Sequence, residues 1–212
     1  MLLKDKLKGR RLVLASASPR RRQILAEAGL PFALAAPYET QEVWPAELPA
    51  DQVAAYLAAL KSDAYPEPLA EGDILLTADT TVVLGGDRGN GGNGGDGPGE
   101  NGEVLGKPRD EAEAIKMLES LSGRAHKVIT GVMLRTRDSR ETFSAQSTVW
   151  FRRLTREEIE HYVDTFRPMD KAGAYGIQEW IGLVGIERIE GSFHNVMGLP
   201  IQMIYTKLSA RL

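Results

Sequence analysis

The chain of 212 residues contains no cysteine. This absence excludes a disulfide framework, a catalytic thiolate and a cysteine-ligated zinc site. Histidine is also scarce, since only His126, His161 and His194 occur and they lie too far apart in sequence for a histidine metal motif. No Ser-His-Asp or Cys-His set can be assembled from these residues, so covalent acyl-transfer chemistry is disfavoured.

The sequence also lacks an excess of positive charge and any long hydrophobic run. Its net charge is −3 and its pI is about 5.7, which argues against a broad nucleic-acid-binding surface. No window approaches a membrane span, and the apolar run near Met1 is too short for a signal peptide. We therefore expect a soluble, cytoplasmic protein with neither nucleic acid nor a membrane as partner. The length and the 42% hydrophobic content favour one domain over residues 1–212.

Strand and helix signals alternate along the chain and predict a mixed α/β fold with one sheet flanked by helices. The predicted strands cover residues 12–15, 73–78, 82–84, 103–105, 127–135, 148–153 and 184–189. The predicted helices cover residues 19–28, 51–64, 110–123, 155–166 and 200–208. Val53, Tyr56, Leu57 and Leu60 have the spacing of an inward helix face.

A glycine-rich segment at 85–102 separates two arms of a predicted hairpin. It holds too little apolar surface to offset the entropy of ordering, so we expect a disordered hairpin tip. A phosphate loop is excluded because Gly106 and Lys107 are followed by Pro108 rather than by serine or threonine. A calcium-binding glycine repeat is disfavoured because Pro98 stands where a large apolar residue is needed.

The first strand leads through a turn of small residues into a helix whose start is well marked. Ser18 suits the N-cap, Pro19 suits the first helical position and Gly29 suits the stop. Three consecutive arginines, Arg20–Arg22, oppose the helix dipole in the first turn and so require an anion. The turn therefore predicts a polyphosphate site, the alternative being an ordinary capped helix with a solvated basic turn.

A carboxylate after a buried strand suggests the chemistry. Asp79 follows the strand predicted at 73–78, where a carboxylate can hold Mg²⁺ or deprotonate water. Glu39 and Glu42 offer a second carboxylate. Candidate cations for phosphate oxygens are Lys61, Lys107 and Lys171. These residues predict a metal-dependent enzyme acting on a phosphate compound, although an aspartate after a strand is more often a cap or turn residue.

Six ordered segments resemble the Maf family of nucleoside triphosphate pyrophosphatases. The resemblance extends from about Leu12 to Leu208. The segments are Leu14-Ala-Ser-Ala-Ser-Pro-Arg-Arg21, Thr77-Ala-Asp-Thr-Thr-Val82, Leu105-Gly-Lys-Pro108, Leu121-Ser-Gly-Arg-Ala-His-Lys-Val-Ile-Thr-Gly131, Asp170-Lys-Ala-Gly-Ala-Tyr-Gly-Ile-Gln178 and Asn195-Val-Met-Gly-Leu-Pro200.

This resemblance implies a fold, an activity and a set of roles. The fold would be a long twisted mixed sheet with two lobes and a central cleft, similar to the inosine triphosphate pyrophosphatases. The activity would be hydrolysis of a nucleoside triphosphate between its α and β phosphates, with Mg²⁺ or Mn²⁺ as cofactor, in a homodimer. Asp79 would accept the proton of the attacking water, and Glu42 would join Asp79 in holding the metal. The residues that would contact phosphates are Ser16, Arg21, Lys61, Lys107 and Lys171.

The resemblance also implies a substrate. Arg20, Thr80 and Gln178 match the subgroup acting on dTTP and UTP, whereas the 7-methyl-GTP subgroup has Trp, Gln and Glu there. Hydrogen-bonding side chains suit the carbonyl and N–H edge of a pyrimidine. We therefore expect a house-cleaning dTTP/UTP pyrophosphatase with a link to cell division. The alternatives are the same chemistry on 7-methyl-GTP or another modified nucleotide, and a non-enzymatic nucleotide-binding regulator of septum formation.

Overall fold

A computed structural model describes residues 1–85 and 102–212, and the predicted hairpin tip lies outside these residues except at its two ends. In the described residues, helices flank one mixed sheet, which confirms the predicted fold class. The helices are α1 (Leu3–Lys6), α2 (Pro19–Glu27), α3 (Val53–Asp63), α4 (Glu111–Leu121), α5 (Arg156–Phe166), α6 (Trp180–Gly185), α7 (Phe193–Met197) and α8 (Ile201–Arg211). The strands are β1 (Arg11–Leu14), β2 (Ala33–Leu34), β3 (Asp73–Leu84), β4 (Glu103–Leu105), β5 (Ala125–Arg135), β6 (Arg140–Phe151) and β7 (Ile186–Glu190).

The strand order leaves one stretch of the central strand open on one side. The sheet runs β2-β1-β3-β5-β6-β7, with β1 parallel to β2 and β3 and with antiparallel pairing elsewhere. β1 pairs with β3 only as far as Leu14 opposite Leu76, and β4 begins its pairing with β3 at Val82. Among the described strands, none pairs with residues 77–81 of β3 on that side. We call this stretch the β3 gap.

The prediction that a strand ends at Asp79 is wrong, because β3 continues through it to Leu84. The β-branched Thr80 and Thr81 favour an extended backbone, and β5 pairs with β3 along its length, with Asp79 opposite Gly131. The predicted strands at 73–78 and 82–84 are therefore one strand. What ends near Asp79 is its neighbour, β1.

Two further strand predictions differ from the structure. β6 begins at Arg140 rather than at residue 148, because a tight turn at 136–139 pairs Arg140 with Arg135 and extends the hairpin. The strand predicted at 184–189 is replaced at its start by α6, and β7 begins only at Ile186. Short apolar runs do not distinguish a strand from a helix by periodicity alone, which accounts for the second difference.

The predicted helix signals are largely confirmed. Pro19 occupies the first turn of α2, and Gly29 follows that helix with a φ of +65°. Ser18 holds the N-cap position but makes no side-chain capping bond; its N–H donates to the Ser16 hydroxyl at 3.2 Å. On α3 the predicted inward position of Tyr56 is wrong, since that side chain is 38% exposed.

Successive residues of β3 face two different packing environments. Val82 and Val128 belong to the main core together with residues of α2, α4, α5 and α8. Val83 and Ile129 instead contact Ala54 of α3. Side chains alternate across a strand, so α3 covers the face of β3 opposite the main core. In the described residues, no helix is long and apolar enough to cross a membrane.

Candidate active site

Asp79 lies in the middle of the β3 gap and faces α3. Its side chain shares the α3 face with that of Thr77, whose hydroxyl donates to the Ala58 carbonyl of α3 at 2.6 Å. Opposite Asp79 stands Gly131, where a Cβ would lie 2.3 Å from backbone atoms of Ala54. The missing side chain at Gly131 therefore lets the backbone of α3 come close to the sheet beside Asp79.

This close approach brings Lys61, near the end of α3, against two carboxylates. Its Nζ lies 2.5 Å from Asp79 Oδ1 and 2.9 Å from Glu42 Oε1. Burial alone would raise the pKa of Glu42, but the hydrogen bond from Lys61 and the charges of Lys61, Lys107 and Arg21 outweigh it and lower that pKa. Glu42 and Asp79 therefore both contact one ammonium group, that of Lys61. These three residues were all predicted for the site.

The buried Arg21 closes the β3 gap from the other side. Its Nη1 donates to the Ala78 carbonyl at 2.8 Å and to Ser16 Oγ at 3.2 Å. Its Nε donates to the Gly198 carbonyl at 2.8 Å, and its Nη2 to Thr80 Oγ1 at 3.1 Å. These bonds engage four of the five N–H donors of the guanidinium. Because β1 ends before Ala78, no backbone N–H of β1 reaches the Ala78 carbonyl, and Arg21 supplies the donor instead.

The three arginines predicted at the start of α2 therefore have different surroundings. Arg21 is buried, and desolvation lowers its pKa although Asp79 opposes the shift. Arg20 reaches across to the loop after α5, where its Nη1 lies 2.9 Å from Asp170 Oδ2. Arg22 is half-buried, with its Nε enclosed and without a hydrogen-bond partner in the described residues. Of the three, Arg21 contacts the predicted residues Ser16 and Thr80, whereas Arg20 contacts Asp170, the neighbour of the predicted Lys171.

A buried hydrogen-bonded series continues from Arg21 on the core side of β3. Thr80 Oγ1 lies 3.0 Å from Thr130 Oγ1, and Thr130 donates to the Asn195 carbonyl at 3.0 Å. The Asn195 amide in turn donates to the Val128 carbonyl at 3.1 Å. Adjacent residues of β3 therefore serve different groups: Asp79 faces Lys61, whereas Thr80 faces Arg21.

The loop after α5 carries a second charged cluster. Lys171 is 7% exposed, and its Nζ lies 2.7 Å from Asp170 Oδ1 and 3.1 Å from Glu179 Oε1. Burial alone would raise the pKa of Asp170, but hydrogen bonds from Lys171 and Arg20 outweigh it and lower that pKa. Asp170 thus joins the helix that carries the arginines to the loop that carries Lys171.

The remaining predicted residues lie at the margins of this arrangement. Lys107 is exposed and acts on Glu42 through its charge. The Gly106 carbonyl accepts the N–H of Gly173 at 3.0 Å, which holds the Lys107 segment against the Lys171 loop. Gln178 is exposed at the end of that loop, two residues before α6, and has no hydrogen bond among the described contacts.

Several residues in these networks escaped sequence reasoning. Three of them, Asp170, Thr130 and Asn195, lie inside motifs that carry the family resemblance. Their position within those motifs could have indicated that they belong to the site. Glu179 and Tyr162 lie outside those motifs, and their contact joins a loop to α5 across 17 positions. No local pattern could have paired them.

The described residues offer a small donor set for a metal ion. Among the described residues, no group of three or more His, Cys, Asp or Glu side chains is arranged for a metal ion. Glu42 and Asp79 are two carboxylates already converging on one cationic group. Two carboxylates together with substrate phosphates are a common Mg²⁺ donor set, so the residues present fit such an ion.

Comparison with known proteins gives one family and many similar relatives. The Maf-like protein family matches residues 11–211. A dTTP/UTP pyrophosphatase of Bacteroides thetaiotaomicron is 43% identical over 197 residues, covering 93% of this chain and 94% of that protein. A dTTP/UTP pyrophosphatase of Christiangramia forsetii is 39% identical over 211 residues, covering 100% of this chain and 99% of that protein.

A solved structure supports the fold independently. The Staphylococcus aureus Ham1 protein superimposes with a TM-score of 0.50 at 16% sequence identity, covering 96% of this chain and 100% of that chain. At this identity the likeness concerns the fold alone. It agrees with the mixed sheet described above.

Proposed function

The chain belongs to the Maf-like protein family, and on that premise we propose that it is an enzyme that hydrolyses dTTP and UTP to the monophosphate and pyrophosphate. The observation that carries the proposal is the Asp79 carboxylate in the β3 gap, held by Lys61 and flanked by Glu42 and Arg21. A carboxylate with cations close to it is the arrangement that phosphoanhydride hydrolysis needs, since a base must act beside negative oxygens.

In the proposed reaction Asp79 accepts the proton of the attacking water. Its Oδ1 is engaged by Lys61, which orients the carboxylate and leaves Oδ2 as the natural acceptor. The water oxygen then bonds to the α-phosphorus as the bond from that phosphorus to the α–β bridging oxygen breaks. Pyrophosphate leaves with the bridging oxygen, and the nucleoside monophosphate keeps the water oxygen.

The phosphate oxygens would be bound by cations drawn from three segments. Lys61 lies on α3, Lys107 follows β4, and Lys171 lies in the loop after α5. Arg21 has one N–H left after its bonds within the protein, and this donor together with Ser16 Oγ is available to a phosphate oxygen. These charges would stabilise the negative charge that develops on pyrophosphate.

Glu42 and Asp79 would hold a divalent cation, Mg²⁺ or Mn²⁺, and this ion would polarise the phosphate oxygens when bound. Base recognition is assigned to Arg20, Thr80 and Gln178. Asp170 orients the Arg20 guanidinium, and Gln178 is exposed and free to turn toward a base. The proposal extends to a homodimer acting in the cytoplasm, which sedimentation analysis and cell fractionation would test.

A panel of triphosphates tests the function directly. The purified protein is incubated with dTTP, UTP, 7-methyl-GTP and the other common triphosphates in the presence of Mg²⁺, and pyrophosphate release is measured. We expect dTTP and UTP to be cleaved fastest, with no release when the metal is chelated. Faster cleavage of 7-methyl-GTP would overturn the substrate assignment. Tight dTTP binding without any pyrophosphate release would instead favour a nucleotide-binding regulator.

A further inference from the structure

Glu179 joins Lys171 to the buried face of α5. One carboxylate oxygen, Oε1, lies 3.1 Å from Lys171 Nζ, and the other, Oε2, accepts a hydrogen bond from the Tyr162 hydroxyl. All three side chains are largely enclosed, with Tyr162 fully buried. Both ends of the Glu179 carboxylate are therefore engaged, one by the loop cation and one by the helix.

The backbone of Glu179 and the Tyr162 hydroxyl also hold the turn that contains Gln178. The Tyr162 hydroxyl accepts the Gly176 N–H at 3.0 Å, and the Glu179 N–H donates to the Gly176 carbonyl at 3.0 Å. A Cβ at Gly176 would lie 2.8 Å from the Glu179 carboxyl carbon. Glu179 thus lies directly over the backbone of Gly176 and closes the turn at 176–179, which contains Gln178.

Lys171 has two carboxylate partners with different freedom. Asp170 is 56% exposed and is shared with Arg20, whereas Glu179 is 19% exposed and is held by Tyr162. Burial raises the pKa of Tyr162, and the hydrogen bond to Glu179 raises it further. The phenol therefore stays protonated and continues to donate its hydrogen bond to Glu179. Glu179 is therefore the more rigid of the two partners.

We propose that Glu179 is a positioning residue for Lys171, fixing that ammonium where it meets the triphosphate. The proposal rests on the proposed function, in which Lys171 binds phosphate. When a phosphate arrives, the exposed Asp170 can turn away while Glu179 continues to hold the ammonium. The preorganised cation then loses little freedom on binding.

The geometry requires both carboxylate oxygens of Glu179 to act as hydrogen-bond acceptors. A glutamine has one acceptor oxygen and one NH₂ donor, so Glu179→Gln cannot accept from both Lys171 and Tyr162. Tyr162→Phe keeps the buried ring and removes the hydroxyl, which frees Oε2 of Glu179 and leaves the Gly176 N–H without its acceptor. Both variants should loosen the hold of residue 179 on Lys171 without removing the ammonium group. Glu157→Gln, an exposed position on α5, makes the same chemical change outside the cluster.

The test measures KM and kcat for dTTP in the wild type, E179Q, K171M and the double variant, with thermal unfolding recorded for each. We expect E179Q to raise KM about tenfold with kcat within about twofold, because a uniform binding contribution is lost. In the K171M background E179Q should change KM by less than about twofold, since its effect is transmitted through Lys171. Y162F should change KM in the same direction as E179Q, and E157Q should match the wild type.

Calorimetric titration with inorganic pyrophosphate separates this inference from the proposed function. E179Q should weaken pyrophosphate binding in the wild-type background but not in K171M, whether or not the protein turns over dTTP. Unchanged KM and pyrophosphate affinity in both E179Q and Y162F would overturn the inference. It would also be overturned if E179Q raised KM in the K171M background as much as it does in the wild type. Absence of dTTP and UTP cleavage by the wild type would overturn the proposed function alone.

Discussion

Lys61 and Asp79 form an ion pair with Nζ 2.5 Å from Oδ1, although they lie on different elements, α3 and β3. The pair exists because Gly131 lets α3 approach the sheet and because β1 ends before it can cover Asp79. The proposed base is therefore held by a cation before substrate binds. That ion pair fixes the orientation of the Asp79 carboxylate beside α3.

Replacing Asp79 by asparagine should abolish most of the activity. The amide can still accept the Lys61 hydrogen bond but cannot take a proton from water, so kcat should fall by about 10²–10⁴-fold. Pyrophosphate release with dTTP measures the loss. Asp164→Asn, at an exposed position on α5, is the matched control and should retain wild-type activity. If D79N kept full turnover, Asp79 would not be the base.

Replacing Arg21 by lysine should destabilise the fold as well as impair catalysis. An ammonium cannot span Ser16, the Ala78 and Gly198 carbonyls and Thr80 together, so buried carbonyls are left without donors. We expect a loss of about 2–4 kcal/mol in the free energy of unfolding, measured by urea denaturation.

Arg153→Lys, at an exposed position, controls for the arginine-to-lysine change and should alter the free energy of unfolding by less than about 0.5 kcal/mol. An R21K protein as stable as R153K would show that the buried hydrogen bonds of Arg21 contribute little. Arg21 would then be a phosphate ligand without a structural role.

The features of α2 and α5 could be predicted because their signals are local. Pro19 and Gly29 bound α2, and at the start of α5 Thr155 and Glu158 form the capping box that their spacing indicates. These rules need only a few consecutive residues. The motifs likewise indicated which charged residues belong to the site, but they did not indicate which groups those residues contact.

The environments of Asp79 and Arg21 could not be predicted, because they depend on distant parts of the chain. Whether a strand continues through Asp79 is decided by β5, about 50 residues later. Which of three consecutive arginines is buried depends on where β1 ends relative to β3. Pairing across a sheet carries no signature within either segment, so three similar arginines look equivalent in the sequence.

Substitution of Gly131 by alanine tests the close approach of α3. The new Cβ would lie 2.3 Å from Ala54 backbone atoms, so α3 must move away from β5 and take Lys61 from Asp79. We expect a loss of about 1–3 kcal/mol of stability, together with a fall in kcat/KM for dTTP. Gly106→Ala is the control for stability, because nothing lies within 4 Å of a Cβ there. Equal stability of the two variants would contradict the packing described for α3.

Acid should destabilise the protein through His126, which is fully buried with Nε2 2.7 Å from the Tyr175 hydroxyl. Burial lowers the pKa of His126 to about 3 in the folded state, against about 6.5 in an unfolded chain. Below about pH 6.5 the unfolded state therefore binds one more proton, and stability falls as the pH falls, by about 2 kcal/mol between pH 7 and pH 5. Urea denaturation at the two pH values should show this loss in the wild type and in His161→Gln, but a smaller loss in His126→Gln. Equal losses in all three would mean that His126 does not set the acid sensitivity.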